Sequence, residues 1–460
     1  MYDVIVVGAR VAGSSTAMLL ARKGFKVLLL DRATFPSDTL STHQVQLPGV
    51  AGLERWGLLD RVVASGAPAT RHVRFDAAGS VLEGHYPAFG GVDALYSPRR
   101  TILDKILVDA AREAGAEVRE GFVVEEVLMD HGHVTGIRGR VRGRRKRSTP
   151  VTEAAQLVVG ADGKHSLVAD AVRPQAYNQR PVLSMGFYTY WEGVPIEGNE
   201  FYVRDRCLIV ACPTNDGLVM TYVTQPVDEY RLFRSDVEGN FLKMLDLAGD
   251  LGERVRCGRH AGRFRGTTDL PNFFRKPHGP GWALVGDAGL VMDPAAGQGI
   301  DHAFRDAELL TGAICAAFDG QQPLDAALAS YEQKRNREAL PMFEFTMNLA
   351  SYRPPRVQER VLFASLAGNQ PETDRFLGVL TGAVSPRDYF TPGNLLKIIG
   401  VRGISNVMLN KLRVPYPQAP NRERWRRNVT RSPRSLALAN TNDQILLARN
   451  KARQTEKGVR

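Results

Sequence analysis

The chain has 460 residues, 43% of them hydrophobic, enough to bury a sizeable core in two or three substructures. Its 60 Lys and Arg against 49 Asp and Glu give a net charge of +11, of which residues 421–460 supply 11 basic against 3 acidic residues. No apolar run approaches the roughly 18 residues of a spanning helix, and no secretory signal precedes a first strand that begins almost at Met1, so the expected location is cytoplasmic.

A second basic cluster runs through Arg138, Arg140, Arg142 and Arg144 to Arg147. Neither basic run carries interleaved aromatics or a nucleic-acid module, so no nucleic-acid partner is expected. The tail is expected to make at most a peripheral membrane contact.

In chain order, Asp3–Val7 is a buried parallel strand by composition, followed by the turn Gly8-Ala9-Arg10-Val11-Ala12-Gly13 and a helix to about Lys23. Small residues such as Ser14 let that helix approach the sheet, and Gly24 closes it. The strand Lys26–Leu30 then ends in Asp31, which stands 18 residues beyond Gly13. Strand, glycine turn, helix, strand and terminal acid together describe a unit that binds an adenine dinucleotide. Arg10 occupies the place of the middle glycine, where a guanidinium lies beside phosphates. Asp31 is expected to accept from unphosphorylated ribose hydroxyls.

Residues 32–47 form a polar connection in which His43 is a candidate to face a ligand or to be satisfied by backbone, and one amphipathic helix is expected over Gly49–Val63. Alternating segments at 71–75 and 81–86 read as an antiparallel excursion from the first domain. A helix over Arg100–Ala114, short strands to Leu128 and a meander follow, the last strand, Gln156–Gly160, running into Ala161-Asp162-Gly163. From 174 to 268 the texture turns to antiparallel strands at 183–192, 199–203, 207–213 and 217–224, with one helix near 238–247. Tyr188 and Tyr190 lie in an aromatic stretch that is either core or pocket wall. Cys207 and Cys212 are five apart on a strand, hence on opposite faces and about 16 Å apart, so buried free thiols are expected rather than a disulfide. Trp282–Val285 is a third apolar strand, running into Gly286-Asp287; Gly297-Gln298-Gly299-Ile300 then opens a long helix. Further helices extend to about Leu412, and a weak helix candidate lies at 444–452.

Three strand ends thus carry matching punctuation: Gly8–Gly13 with Asp31, Gly160–Gly163, and Gly286-Asp287 with Gly297-x-Gly299. With the Arg100-x-x-Leu103-Asp104 helix, this order resembles the flavoprotein monooxygenases built like p-hydroxybenzoate hydroxylase, whose scaffold the geranylgeranyl reductases and flavin-dependent halogenases share. The resemblance covers roughly residues 1–320. It implies an α/β fold: a Rossmann-like FAD-binding domain interleaved with an antiparallel-sheet substrate domain, and a C-terminal helical region. The corresponding segments are 1–70, 96–173 and 270–340 for FAD; 71–95 and 174–269 for substrate; 341–420 helical; and 421–460 the basic tail.

The resemblance further implies that Gly8, Arg10, Val11, Ala12, Gly13, Ser14, Asp31 and Arg32 hold the pyrophosphate and adenosine. Val124 would pass beside the adenine, and Arg100 would meet the cofactor from its helix. Asp162 and Gly163 would lie near the pyrophosphate and the nicotinamide route, Gly286 and Asp287 at the ribityl chain, and Gly297, Gln298, Gly299 and Ile300 at the flavin pyrimidine. His43, Tyr188 and Tyr190 are the substrate-pocket candidates. No catalytic side chain and no metal is assigned. The family's arginine after the Asp-Gly motif is Ala169 here, and its frequent asparagine after the last glycines is Asp301.

The activity so implied is reduction by NADH or NADPH, O2 addition at flavin C4a to give the hydroperoxide, and hydroxylation of an aromatic or other apolar small molecule. A double-bond reductase or dehydrogenase, a halogenase and a non-enzymatic FAD-binding protein remain alternatives. The reductase and halogenase signatures, Tyr-x-Trp-x-Phe-Pro and Trp-x-Trp-x-Ile-Pro, are both absent. Oligomeric state is left open.

Overall fold

A computed structural model describes residues 1–142 and 149–408. The tail helix candidate and the cluster residues Arg144 to Arg147 lie outside the described residues.

Five parallel strands form the centre of the first sheet, in the order Trp282–Leu284, Val151–Gly160, Tyr2–Val7, Val27–Asp31 and Glu117–Glu120. Their near-continuous apolar runs follow from cover on both faces. Val4, Val6, Leu29 and Val159 pack into one core cluster, while Ile5, Val7, Leu28 and Val158 pack into another beneath the hairpin Phe122–Asp130/His133–Val141. Because these strands are parallel, their carboxyl ends share one edge of the sheet. Val7 and Leu284 both register with Gly160, so the three glycine motifs and Asp31 stand side by side.

Glycine is required where these ends meet the helices. A Cβ on Gly13 would lie 1.7 Å from the Gly8 carbonyl oxygen, and one on Gly8, at φ +100, would lie 2.4 Å from that of Ala161. A Cβ on Gly286 would lie 2.7 Å from that of Ala12, where the helices Val11–Ala21 and Gly299–Phe318 run together.

The second sheet is a meander of Ser184–Glu192, Leu218–Pro226, Cys207–Pro213 and Asn199–Arg204. Its strand period of two sorts the aromatic stretch. Phe187 and Trp191 face helices at 230–257, whereas Tyr188 and Tyr190 face inward with Val210, Met220 and Tyr222. Cys207 and Cys212 are buried free thiols, one in each of these layers.

The structure corrects the sequence reading at one long helix and around one short one. The single helix expected over 49–63 is two, Leu47–Arg55 and Leu59–Ala64, because Gly57 turns the chain at φ +68. Apolar spacing runs across the break since Trp56 and Leu58 stay buried on either side of it. The excursion His72–Ala77/Ser80–His85 joins the second sheet, its first strand pairing in parallel with Asn199–Arg204. Two short helices, Tyr230–Ser235 and Leu251–Cys257, flank the expected helix at Val237–Leu245; at six and seven residues they hold too few turns to show a period. The same brevity hides the small sheet of Ala176–Arg180, Asn272–Arg275 and Leu290–Val291.

Helices Leu324–Leu349, Val357–Leu366, Gln370–Leu380 and Pro392–Met408 complete the described chain. Among the described residues no helix is long and apolar enough to cross a membrane, and no His, Cys, Asp or Glu cluster could hold a metal ion.

Candidate functional site

The edge where the parallel strands end collects most of the residues singled out in the sequence. The helix Val11–Ala21 begins there with no side-chain cap, leaving first-turn N–H groups free for an anion. Asp104, fully buried on the helix Arg100–Glu113, accepts from Arg100 Nε and Nη2 at 2.9 and 3.1 Å and from Arg10 Nη1 at 2.6 Å. Two guanidiniums around one carboxylate leave one net positive charge beside that helix end. Arg10 also donates to Ser37 O, Ser37 Oγ and Asp38 O, so protein oxygens fix the guanidinium in place. Asp31 accepts from Ala9 N and Ala33 N, both at 2.7 Å, tying the glycine turn to the end of the second strand.

Asp287 follows the strand Trp282–Leu284 in a 3-10 turn. Its side chain is exposed, although protein surrounds it closely enough to raise its carboxyl above the ordinary range, against the pull of Arg100 and Lys164. A carboxylate that is both accessible and enclosed stands on the floor of a recess. The turn Pro294–Ala296 then leads through Gly297, at φ +65, into the helix Gly299–Phe318. A Cβ at Gly297 would lie 3.0 Å from Gln44 Oε1 and 3.1 Å from Gln46 Nε2, so the 32–47 connection lies directly on this turn. Gly299, exposed and with no atom within 4 Å of an added Cβ, is the open first residue of its helix.

Across from the turn, Phe201, Val210, Met220 and Tyr222 of the second sheet close a small cavity with Thr42, Gln44, Pro294 and Gly297. His43 stands beside it, fully buried at φ +67. Its Nδ1 is 2.7 Å from Ser41 O, which can only accept, so Nδ1 carries the proton and Nε2 accepts from the Tyr190 hydroxyl at 2.5 Å. Burial holds this imidazole neutral, pushed down to about 4. Tyr188 packs edge-on against both rings, at centroid distances of 5.5 and 5.8 Å. The three pocket candidates are thus one contact cluster.

Several named residues direct their side chains elsewhere. Asp162 caps the helix Leu167–Val172 by accepting from Ser166 Oγ and Leu167 N, and burial raises its carboxyl. Gln298 donates to Leu380 O at 2.9 Å. The Ser14 hydroxyl donates to Ala9 O, Arg32 is exposed, and Val124 sits part-buried in the hairpin. Asp301 is buried and accepts from Gln46 N and Gly49 N at 3.1 and 2.7 Å, capping the helix Leu47–Arg55 from a distance. Burial pushes its carboxyl up to about 7. Sequence reasoning assigned no role to Thr42, Gln44 or Tyr222. Their one visible signal is membership of the polar connection or of the inward face of a strand.

Such an edge can hold an extended diphosphate and favour negative charge growing on a ring at the second helix N-terminus. Comparison with known proteins agrees. Residues 1–225 match the FAD binding domain family. Rifampicin monooxygenase of Rhodococcus hoagii is 25% identical over 354 residues, 75% of this chain and 70% of that protein. Phenazine 1,6-dicarboxylic acid hydroxylase PhzS of Lysobacter antibioticus is 29% identical over 348 residues, 68% of this chain and 82% of its own. The flavin-dependent brominase Bmp2 shares the fold at a TM-score of 0.72 and 18% identity, over 89% of this chain and 100% of that one. The chain thus carries an FAD binding domain over residues 1–225 and is similar to flavoprotein monooxygenases and halogenases; it is an FAD-dependent oxidoreductase.

Proposed function

We propose that this enzyme is an NAD(P)H-dependent monooxygenase that hydroxylates an aromatic or other apolar small molecule. The observation that carries the reading is the apolar inward face of the second sheet set against the Gly297 turn, where Phe201, Val210, Met220 and Tyr222 close on a space of only about 10 Å³ that a substrate must open. An apolar wall excludes water and aligns an apolar substrate against the reacting ring. FAD, when bound, supplies the electron transfer and oxygen chemistry.

The residues of this chain then have the following work. Arg10 and Arg100, oriented by Asp104, and the open N-terminus of Val11–Ala21 hold the pyrophosphate. Gly8 and Gly13 let the backbone approach it, and Asp31 takes the ribose. Asp287 takes the ribityl hydroxyls, and the N–H groups at Gly299 and Ile300 meet the pyrimidine edge. The Tyr190 hydroxyl donates to neutral His43, which fixes the direction of that hydroxyl, and burial keeps the imidazole from taking up a proton. A single dinucleotide fingerprint in the sequence supports a nicotinamide donor that binds transiently in a groove rather than in a domain of its own.

Oxidation of NADH or NADPH in air, with a panel of phenols and apolar lipids, tests this. Substrate-stimulated oxygen uptake and a product heavier by one oxygen atom are expected. Anaerobic loss of a substrate double bond would replace the reading with a reductase.

A further inference from the structure

A second cavity, of about 1040 Å³, lies away from the glycine motifs, between the edge of the second sheet and the helices Leu324–Leu349, Val357–Leu366 and Pro392–Met408. Phe75, Val203, Leu208, Leu349, Leu362 and Phe363 make its wall predominantly apolar. Ligand pockets run from about 300 to 1,000 Å³, so a single aromatic ring would leave most of this wall wet. Its charges are uneven. Arg204 is held by Asp76, Arg353 by Glu359, and Glu344 by Arg180. Arg356 and Arg387 line the cavity, are exposed, and form no ion pair within 4 Å among the described residues, although Arg356 lies close enough to Glu359 to help lower its carboxyl.

The inner end of the cavity comes within one layer of side chains of the redox site. Leu208 and Tyr352 line it, and both pack in one cluster with Val210, Met220, Tyr222 and Ala295, residues that bound the small cavity at the Gly297 turn. One layer of side chains divides the two spaces. Tyr352 holds that place from a left-handed backbone conformation, φ +49, with its hydroxyl 2.5 Å from Thr224 Oγ1.

We propose that this cavity binds the substrate of the flavin site, an amphiphile with an elongated apolar body and an anionic end group. The anion pairs with Arg356 and Arg387 at the mouth, and the apolar end meets Tyr352, whose side chain must move aside for it to reach the Gly297 turn. Desolvated apolar surface supplies the affinity, and the two exposed guanidiniums supply the preference for a charged end. This inference rests on the function proposed above, which it narrows from any apolar compound to an acidic amphiphile.

The full-length protein with FAD bound is titrated with cis-parinaric acid, a fluorescent conjugated carboxylic acid, and with its methyl ester. Saturable binding of the acid is expected, at least tenfold tighter than the ester. The double substitution Arg356→Ala with Arg387→Ala should erase that difference. Leu362→Trp within the cavity, or Leu340→Trp at its partly exposed rim, should each weaken the acid at least tenfold while the bound-flavin spectrum stays unchanged. No binding, or binding indifferent to both tryptophans, overturns the inference. So does binding that appears only when residues 409–460 are deleted, since the chain's own tail would then be the occupant. Unchanged hydroxylation of a phenol in both tryptophan variants would leave the hydroxylase reading standing and overturn this one. Acid binding weakened by the tryptophans, with no compound stimulating NAD(P)H oxidation, would do the reverse.

Discussion

Asp287 shows how one side chain is fixed by the site rather than by the fold. It is exposed on the floor of its recess and makes no side-chain hydrogen bond among the described residues that folding would lose. Asp287→Ala should therefore weaken FAD binding at least tenfold with little change in the apoprotein's urea midpoint, read by titrating apoprotein with FAD. Asp104 is the contrary case. Fully buried between Arg10 and Arg100, it neutralises a guanidinium that is itself almost wholly enclosed. Removing one partner of a buried ion pair costs about 3–5 kcal/mol, so Asp104→Ala should lower the unfolding free energy by about that much and lose FAD as well.

Asp301 carries a pH dependence. Its carboxyl titrates from an ordinary value of 3.8 to about 7 in the folded protein, because burial outweighs the two N–H groups it accepts from. A folded-state value raised in this way favours the folded protein most below about pH 4, and the advantage declines as pH rises to about 7. Each tenfold in proton affinity is worth about 1.4 kcal/mol. Asp301→Asn should flatten that slope in urea melts taken between pH 4 and 7, at a constant cost for the acceptor lost to Gln46 N. At this scale the glycines and the strand-end acids were legible, since each answers a backbone demand. The direction of a long side chain was not: Arg10 and Gln298 find their partners at Asp104 and Leu380, which no local pattern reveals.

Between elements, the contact of strand end and helix is backbone on backbone. The 1.7 Å separation between a Cβ on Gly13 and the Gly8 carbonyl oxygen leaves no space for even one methyl group. Gly13→Ala should thus force the helix Val11–Ala21 off the sheet, lowering the thermal midpoint and abolishing stable FAD binding together; a change in only one of the two would contradict this packing. The long parallel strands and the helices Arg100–Glu113 and Gly299–Phe318 were legible because their apolar residues repeat over several turns or fill a whole strand. The split at Gly57 and the short helices at 230–235 and 251–257 were not, since packing rather than periodicity sets such elements.

Over the whole molecule, the strand order places Asp287, Asp162, Gly8 and Asp31 along one edge, an arrangement that three sequence motifs foretold only in outline. The site closes with parts far apart in the chain: Thr42 and Gln44 from the connection, Tyr222 from the second sheet, and Pro294 from the turn. Deleting the basic tail after about Pro420 should leave the flavin spectrum and FAD affinity intact; loss of FAD would make the tail part of the fold. The most direct test of the central claim is the mass of the product formed with NAD(P)H under isotopically labelled O2. One labelled oxygen atom is expected in the organic product. A product without label, or one that has only lost a double bond, would contradict it.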